Sequence, residues 1–279
     1  MKFDYVRPSS IEELTKYLNE GGKIFSGGTD VFVKLRAGLI SPKILVDSKQ
    51  IVNKPITLGK DKLIIYINNT YSEFLENEEI VLKFPVVGKI ISSIGSTQIR
   101  NKGTMVGNIA NASPAGDFLL ASYLYDAIIN LKPTNRSLSV EEFVKGPGKI
   151  DLKENEFIYS VELPYLEGYN FYYEKLGRRN EMVISIASIG VLIKIDNDSL
   201  IKDMRIAFGS VGPTIVRFKD IEKASIGKKF SKELFEEIAE KYFERIHPID
   251  DVRGSATYRK KMVKNLLIKS YHKLAGDYK

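Results

Sequence analysis

The residues with the greatest capacity for chemistry lie in two glycine-bearing stretches. The longer runs from Gly95 to Asp117 and includes Ile99-Arg100-Asn101-Lys102-Gly103-Thr104-Met105-Val106-Gly107-Asn108, with Ala112-Ser113-Pro114-Ala115-Gly116 ahead of the aspartate. Small residues, hydroxyls, amides and glycines dominate it, and little of it can fill a core. Glycine removes the Cβ that keeps a ligand away from the backbone, and successive exposed N–H groups then form a concavity for phosphate oxygens. The shorter stretch, Ile24-Phe25-Ser26-Gly27-Gly28-Thr29-Asp30, reads as an apolar strand breaking into a Gly-Gly turn, with Val31 to Leu35 starting a helix. Strand, glycine turn and helix form the arrangement by which backbones bind diphosphates. One such loop is ordinary turn chemistry; the pair points to a phosphate-bearing cofactor.

Other chemistries are excluded by composition. The 279 residues contain no Cys, which removes disulfides, thiol catalysis, zinc–thiolate sites and any iron–sulfur cluster held by this chain. Redox work therefore needs an organic cofactor. His247 and His272 stand in separate contexts without acidic partners at metal spacing, and read as packing or surface residues. The net charge of +7, from 42 Lys+Arg against 35 Asp+Glu, is spread without a domain-sized basic block, so it reads as a solvated surface rather than a nucleic-acid interface. No stretch approaches the roughly 20 apolar residues of a membrane span, and Met1-Lys2-Phe3-Asp4-Tyr5 lacks the apolar core of a signal peptide. The expected location is the cytoplasm.

The elements that must position the two loops follow from periodicity and caps. Ser10-Ile11-Glu12-Glu13 forms a capping box, and Ile11, Leu14, Tyr17 and Leu18 make one apolar helical face ended by Gly21-Gly22. Lys23 to Phe25 is the strand that delivers the first loop, and Ile44 to Val46 returns as another, giving a βαβ-like opening. Leu63 to Ile67 is a strand, Thr70-x-x-Glu73 caps a helix, and Phe118 to Tyr125 is a helix capped by Asp117. Strands at Ala127 to Leu131 and Glu156 to Pro164 close the first domain near residue 165. Beyond it, Tyr169 to Lys175, Ala187 to Ile195 and Met204 to Ser210 form one antiparallel sheet, the last two strands around a turn at Asn197-Asp198. Helical stripes follow the caps Ser231 (Leu234, Phe235, Ile238, Ala239, Tyr242, Phe243, Ile246) and Ser255 (Tyr258, Met262, Leu266, Leu267). The acids of Asp250-Asp251-Val252-Arg253 read as a helix start near the positive end of a dipole.

These residues resemble one family: the FAD-binding middle subunits of molybdenum hydroxylases, which include carbon monoxide, aldehyde and xanthine dehydrogenases. Its members carry an Ala-Gly-Gly-Thr/His-Asp/Ser loop after the first strand, matched by Ser26 to Asp30, and an Ile-Arg-Asn-x-Gly-Thr-x-Gly-Gly-Asn-x-x-x-Ala-x-Pro-x-x-Asp segment, matched from Ile99 to Asp117. Ser210 to Thr214 and Asp250 to Arg259 look like its C-terminal signatures, so the resemblance spans the chain. Val106 departs from it, standing where a glycine is usual, which requires backbone there to avoid positive φ. The implied fold class is α+β: a two-domain FAD-binding fold of the vanillyl-alcohol-oxidase/PCMH type over residues 1–165, with subdomains at about 1–55 and 56–165. A C-terminal α+β domain of the CO dehydrogenase flavoprotein type, antiparallel sheet plus helices, is implied over 166–279. The related UDP-N-acetylenolpyruvylglucosamine reductase type, a stand-alone flavoenzyme, is the alternative; Asn111 to Asp117 argues against it.

The resemblance also implies roles. The loops at Ser26 to Asp30 and Gly103 to Asn108 close on the FAD pyrophosphate and ribityl from two sides. Amides of Gly27, Gly28 and Gly107 donate to phosphate oxygens, with side-chain hydrogen bonds from Thr29, Thr104 and Asn108. Lys23, Ile24, Phe25, Ile99, Val106 and Leu163 complete the cofactor contacts. Asp117 has two readings, the adenosine ribose hydroxyls or a helix cap, and Lys175 matches a lysine near the flavin. No residue of this chain is needed as a catalytic acid or metal ligand. A small iron–sulfur subunit with 2Fe-2S clusters and a large molybdenum-pterin subunit are the implied partners, passing electrons through this FAD to an external acceptor.

Overall fold

The computed structural model describes residues 2–177 and 184–276, which divide into two compact units. The first comprises residues 1–84, 94–112 and 126–165, and the second 85–93, 113–125 and 166–279.

The first unit opens on a three-stranded parallel sheet with Ile44–Asp47 central, flanked by Asp4–Val6 and Lys23–Phe25. Parallel neighbours need crossover connections. Helix Ile11–Asn19 supplies one, placing Leu14 and Leu18 in the core, and helix Val31–Arg36 begins the other. At the first of these helices only half of the expected capping box forms: Ser10 Oγ accepts from the Glu13 amide, but the Glu13 carboxylate turns to the amide and hydroxyl of Ser9. The reciprocal box does form at Thr70 and Glu73. A five-stranded antiparallel sheet follows in the order Thr57–Leu58, Lys62–Tyr66, Phe157–Pro164, Ile128–Lys132, Ser137–Ser139. Helix Met105–Asn111, which carries the second glycine loop, packs against its Phe157–Pro164 and Lys62–Tyr66 strands.

The second unit is built on a four-stranded antiparallel sheet, Asn170–Leu176, Ala187–Ile195, Ile201–Gly209 and Val216–Arg217 in that order. Ala187 to Ile193 is buried at every position, because this strand is covered on both faces. On one face Ile189, Val191, Ile206 and Phe208 join a core with the helices Lys232–Arg245 and Ala256–Ala275. On the other, helix Asp117–Leu124 comes so close that a Cβ on Gly190 would meet Leu124 at 2.4 Å. That helix is buried on all sides, and its all-round apolar sequence is the signature of that environment. Helices Pro85–Ser92 and Asp117–Leu124 thus belong to the second unit although they precede much of the first in sequence. No described helix is long and apolar enough to cross a membrane.

One local expectation is corrected and two are met in greater detail. Helix Asp117–Leu124 is not capped by Asp117: Gly116 is the N-cap and no side chain caps the helix. The turn at Asn197-Asp198 is present within a somewhat longer connection, where Asp196 Oδ1 accepts from the amides of Asp198 and Leu200 and Ser199 takes φ of 62°. The acids at 250–251 precede the last helix, which starts at Ala256, and Asp250 meets the positive end of its dipole as expected. Asp250 accepts from the Ala256 amide at 2.7 Å, while Asp251 binds the Arg259 and Arg253 guanidiniums.

Candidate functional site

The first loop leaves strand Lys23–Phe25, whose Ile24 pairs with Val46. Ser26 Oγ lies 2.9 Å from the buried Ser48 Oγ, which anchors the start of the turn. Gly28 takes φ of 74°, and a Cβ there would strike the Phe32 ring at 2.6 Å. The Phe32 ring packs edge-on against Phe25, with centroids 5.4 Å apart, and Lys49 Nζ sits 4.0 Å from the Phe25 ring centroid. Lys49 also bonds Asp47. Burial lifts the Asp47 carboxyl, but the Tyr5 hydroxyl and Lys49 outweigh it and hold the pKa below the usual range. Among the described residues, the amides of Gly27, Gly28, Thr29 and Asp30 donate to no protein acceptor. Four consecutive uncommitted N–H groups about a positive-φ glycine are the donor set of an anion nest.

The second loop is held from both sides. The Gly103 carbonyl accepts from Tyr71 and the Asn69 carbonyl accepts from Met105, so the loop bridges to the segment at Thr70. Arg100 donates to the carbonyls of Ile94 and Gly95 at 3.0 and 3.1 Å, fixing the turn before it, and Ile99 remains 40% exposed. Lys34 Nζ bonds Asn111 Oδ1 at 2.5 Å, which ties the helix after the first loop to the helix after the second. The loops also touch directly: a Cβ built on Gly27 would lie 1.7 Å from the Lys102 carbonyl oxygen. Only glycine allows this approach.

Several site residues differ from expectation. The Gly107 amide is not free, because Thr104 Oγ1 accepts from it at 3.1 Å as the N-cap of helix Met105–Asn111. Gly107 is small because a Cβ there would lie 2.7 Å from that hydroxyl oxygen. Thr104 Oγ1 thereby commits one of its two lone pairs and keeps the other and its proton. Val106 lies in this helix with an ordinary negative φ and is 2% exposed, as is consistent with its β-branched side chain. The Asn108 amide donates to the Thr104 carbonyl. Leu163 is fully buried, paired with Leu63 across the sheet, so its side chain is core and cannot contact a cofactor. Lys23 is exposed and Thr29 half-buried.

Asp117 and Lys175 lie in the second unit and meet each other: Lys175 Nζ donates to Asp117 Oδ2 at 2.7 Å, with both side chains at most 10% exposed. Tyr173 lies behind them, 3.4 Å from Asp117 Oδ1, and its hydroxyl reaches Ser93 at 3.1 Å. Burial raises the Asp117 pKa, opposed by Lys175 and Tyr173, and it pushes the Tyr173 phenol well above its usual range. The ion pair gives the two residues a single location. The sequence held no signal for this pairing or for Ser48 and the Lys102 carbonyl, since each depends on long-range packing.

The two loops fit a dinucleotide diphosphate, with backbone donors present and side chains excluded where the loops meet. Residues 1–166 match the family described as the FAD binding domain in molybdopterin dehydrogenase, and residues 171–274 match the CO dehydrogenase flavoprotein C-terminal domain. The chain belongs to this family of FAD-binding medium subunits. It is 32% identical over 279 residues to the glyceraldehyde dehydrogenase medium chain of Sulfolobus acidocaldarius, covering 98% of this chain and 99% of that one. It is 26% identical to the carbon monoxide dehydrogenase medium chain of Hydrogenophaga pseudoflava over 94% of this chain and 93% of that one. Carbon monoxide dehydrogenase from the same organism, solved in a form lacking the Mo-pyranopterin moiety, superposes with a TM-score of 0.91 at 25% identity, covering 97% and 96% of the two chains. Both family matches name this dehydrogenase group and not the rival reductase.

Proposed function

We propose that this medium subunit works in the cytoplasm within a heterotrimeric aldehyde-oxidising molybdenum hydroxylase, beside a small iron–sulfur subunit and a large molybdenum-pterin subunit. The glyceraldehyde dehydrogenase medium chain, similar over nearly the full length of both chains, supports an aldehyde as the substrate class. When bound, FAD supplies electron transfer between one-electron carriers and a two-electron acceptor. The chain's own residues do the rest. The amides of Gly27 to Asp30 hold the diphosphate, the Gly27–Lys102 contact fixes one loop against the other, and the Thr104 cap holds helix Met105–Asn111 in register. Without Cys, this chain cannot ligate the clusters that would deliver electrons, so they sit on a partner. The external acceptor is a molecule that reaches the flavin from solution.

The observation that carries the reading is the direct contact of the two glycine loops beside four uncommitted amides. Its test is affinity purification of the tagged chain from its native cells, followed by mass spectrometry and quantification of flavin, iron and molybdenum. Two co-purifying chains, with all three in stoichiometric amounts, are expected. A homogeneous single-chain flavoprotein free of both metals, with full dehydrogenase turnover of its own, would contradict it.

A further inference from the structure

Ser26 stands where the resembling family carries alanine, and the hydrogen bonds behind it settle which way its hydroxyl proton points. Asn68 Nδ2 donates to two carbonyls, Ser48 at 2.8 Å and Val52 at 3.3 Å, so its Oδ1 is the atom facing Ser48 Oγ at 2.8 Å. An amide oxygen can only accept, as can the Phe25 carbonyl 3.5 Å from Ser48 Oγ, so the one Ser48 hydroxyl proton points at the nearer of the two, Asn68. With that proton committed, Ser48 has none to give across its 2.9 Å contact with Ser26 Oγ, so Ser26 is the donor there. The Ser26 oxygen accepts from nothing among the described residues and turns only lone pairs outward.

Phosphate oxygens carry lone pairs too, and a hydroxyl committed in this way repels rather than binds them. We infer that Ser26 is a specificity-determining residue of the FAD site: its oxygen accepts a hydrogen bond from a sugar hydroxyl flanking the diphosphate, while Ser48 and Asn68 act as positioning residues that hold its proton inward. The inference rests on the FAD-binding reading above. It assigns the diphosphate to the backbone of Gly27 to Asp30 and the neighbouring sugar to Ser26.

The test uses the full chain stripped of flavin and titrated with three ligands: FAD, an analogue lacking the ribityl hydroxyls, and an analogue lacking the adenosine ribose hydroxyls. For Ser26→Ala, the FAD dissociation constant should rise about fivefold, the worth of one neutral hydrogen bond. That penalty should disappear with one analogue and persist with the other, which identifies the sugar. The melting temperature of the apoprotein reports folding separately. An unchanged FAD constant, or a penalty that persists against both analogues, overturns the inference and reduces Ser26 to a loop anchor. A wild-type chain that binds no FAD at all would instead overturn the cofactor reading itself.

Discussion

Replacing Gly27 by alanine probes the cofactor site at its tightest point. The added Cβ would stand 1.7 Å from the Lys102 carbonyl oxygen and 2.6 Å from its carbon, whereas ordinary contact begins at 3.4 Å. Both obstacles are backbone, so no rotamer relieves them and the loops must part by about 1.7 Å. Overpacking of this kind costs about 1–3 kcal/mol in stability. The larger effect is on binding, because Gly27 begins the run of free amides. Losing two charge-assisted bonds of about 1.5 kcal/mol each amounts to about 3 kcal/mol, roughly a hundredfold in the FAD dissociation constant. Gly38→Ala is the control. That glycine also takes a positive φ, 68°, but has nothing within 4 Å of its Cβ position, so it should lose about 1 kcal/mol of stability and no affinity. Flavin fluorescence titration of the stripped chain measures the constants, and calorimetry the stabilities. A Gly27→Ala chain that binds FAD within threefold of wild type would refute the idea that loop contact shapes the site.

Thr104→Ala should cost about 1 kcal/mol of stability by exposing the Gly107 amide, visible as a lowered denaturant midpoint at unchanged slope. Lys175→Met should cost about 3–5 kcal/mol in the apoprotein, since it strands the buried Asp117 carboxylate, and Lys175→Met/Asp117→Leu should recover most of that loss. Because burial raises the Asp117 pKa in the folded chain, the native state holds its proton more tightly, so the single variant should gain stability as pH falls from 7 towards 5; a flat profile would contradict this. Tyr169 has a pKa pushed up to about 12, first by burial and then by its bond to Asp203. Its contribution should be complete below pH 10 and vanish as pH climbs towards 12, a loss that Tyr169→Phe removes and phenolate absorbance can follow.

What the sequence made legible was whatever depends on one residue's own conformational freedom or on a short repeat. The loops at Gly27-Gly28 and Gly103 to Gly107 declared themselves through glycine, and the strand Ala187–Ile195 through an unbroken apolar run that its two covered faces explain. The strand Asp4–Val6 was invisible, because three residues with two exposed positions have no period; it exists only because Ile44–Val46 lies beside it in parallel. In the stripe of the last helix Leu266 and Leu267 are buried as expected, but Tyr258 and Met262 are each one position off. Its buried line runs through Arg259, Val263, Leu266, Leu267 and Ser270, with Tyr258 40% exposed. Hydrophobic spacing cannot anticipate a buried guanidinium. Arg259 is tolerated there because Asp251 and the carbonyls of Ile186 and Ser210 each sit 2.6 Å from its terminal nitrogens.

The same distinction separates Gly27 from Gly107. Gly27 and Gly107 look alike in sequence, yet one makes room for a neighbouring loop and the other for its own helix cap, and only a partner dozens of residues away tells them apart. Asp117 offers the sharper case. At a helix start an aspartate usually turns its carboxylate to the free amides, but here Gly116 holds the cap position and Lys175 is within 2.7 Å. A buried ammonium outcompetes backbone N–H groups for a desolvated carboxylate, because charge–charge attraction strengthens as water is excluded while each amide offers only a dipole. Two residues 58 positions apart, each given a separate role by local pattern, are thereby made into one electrostatic unit.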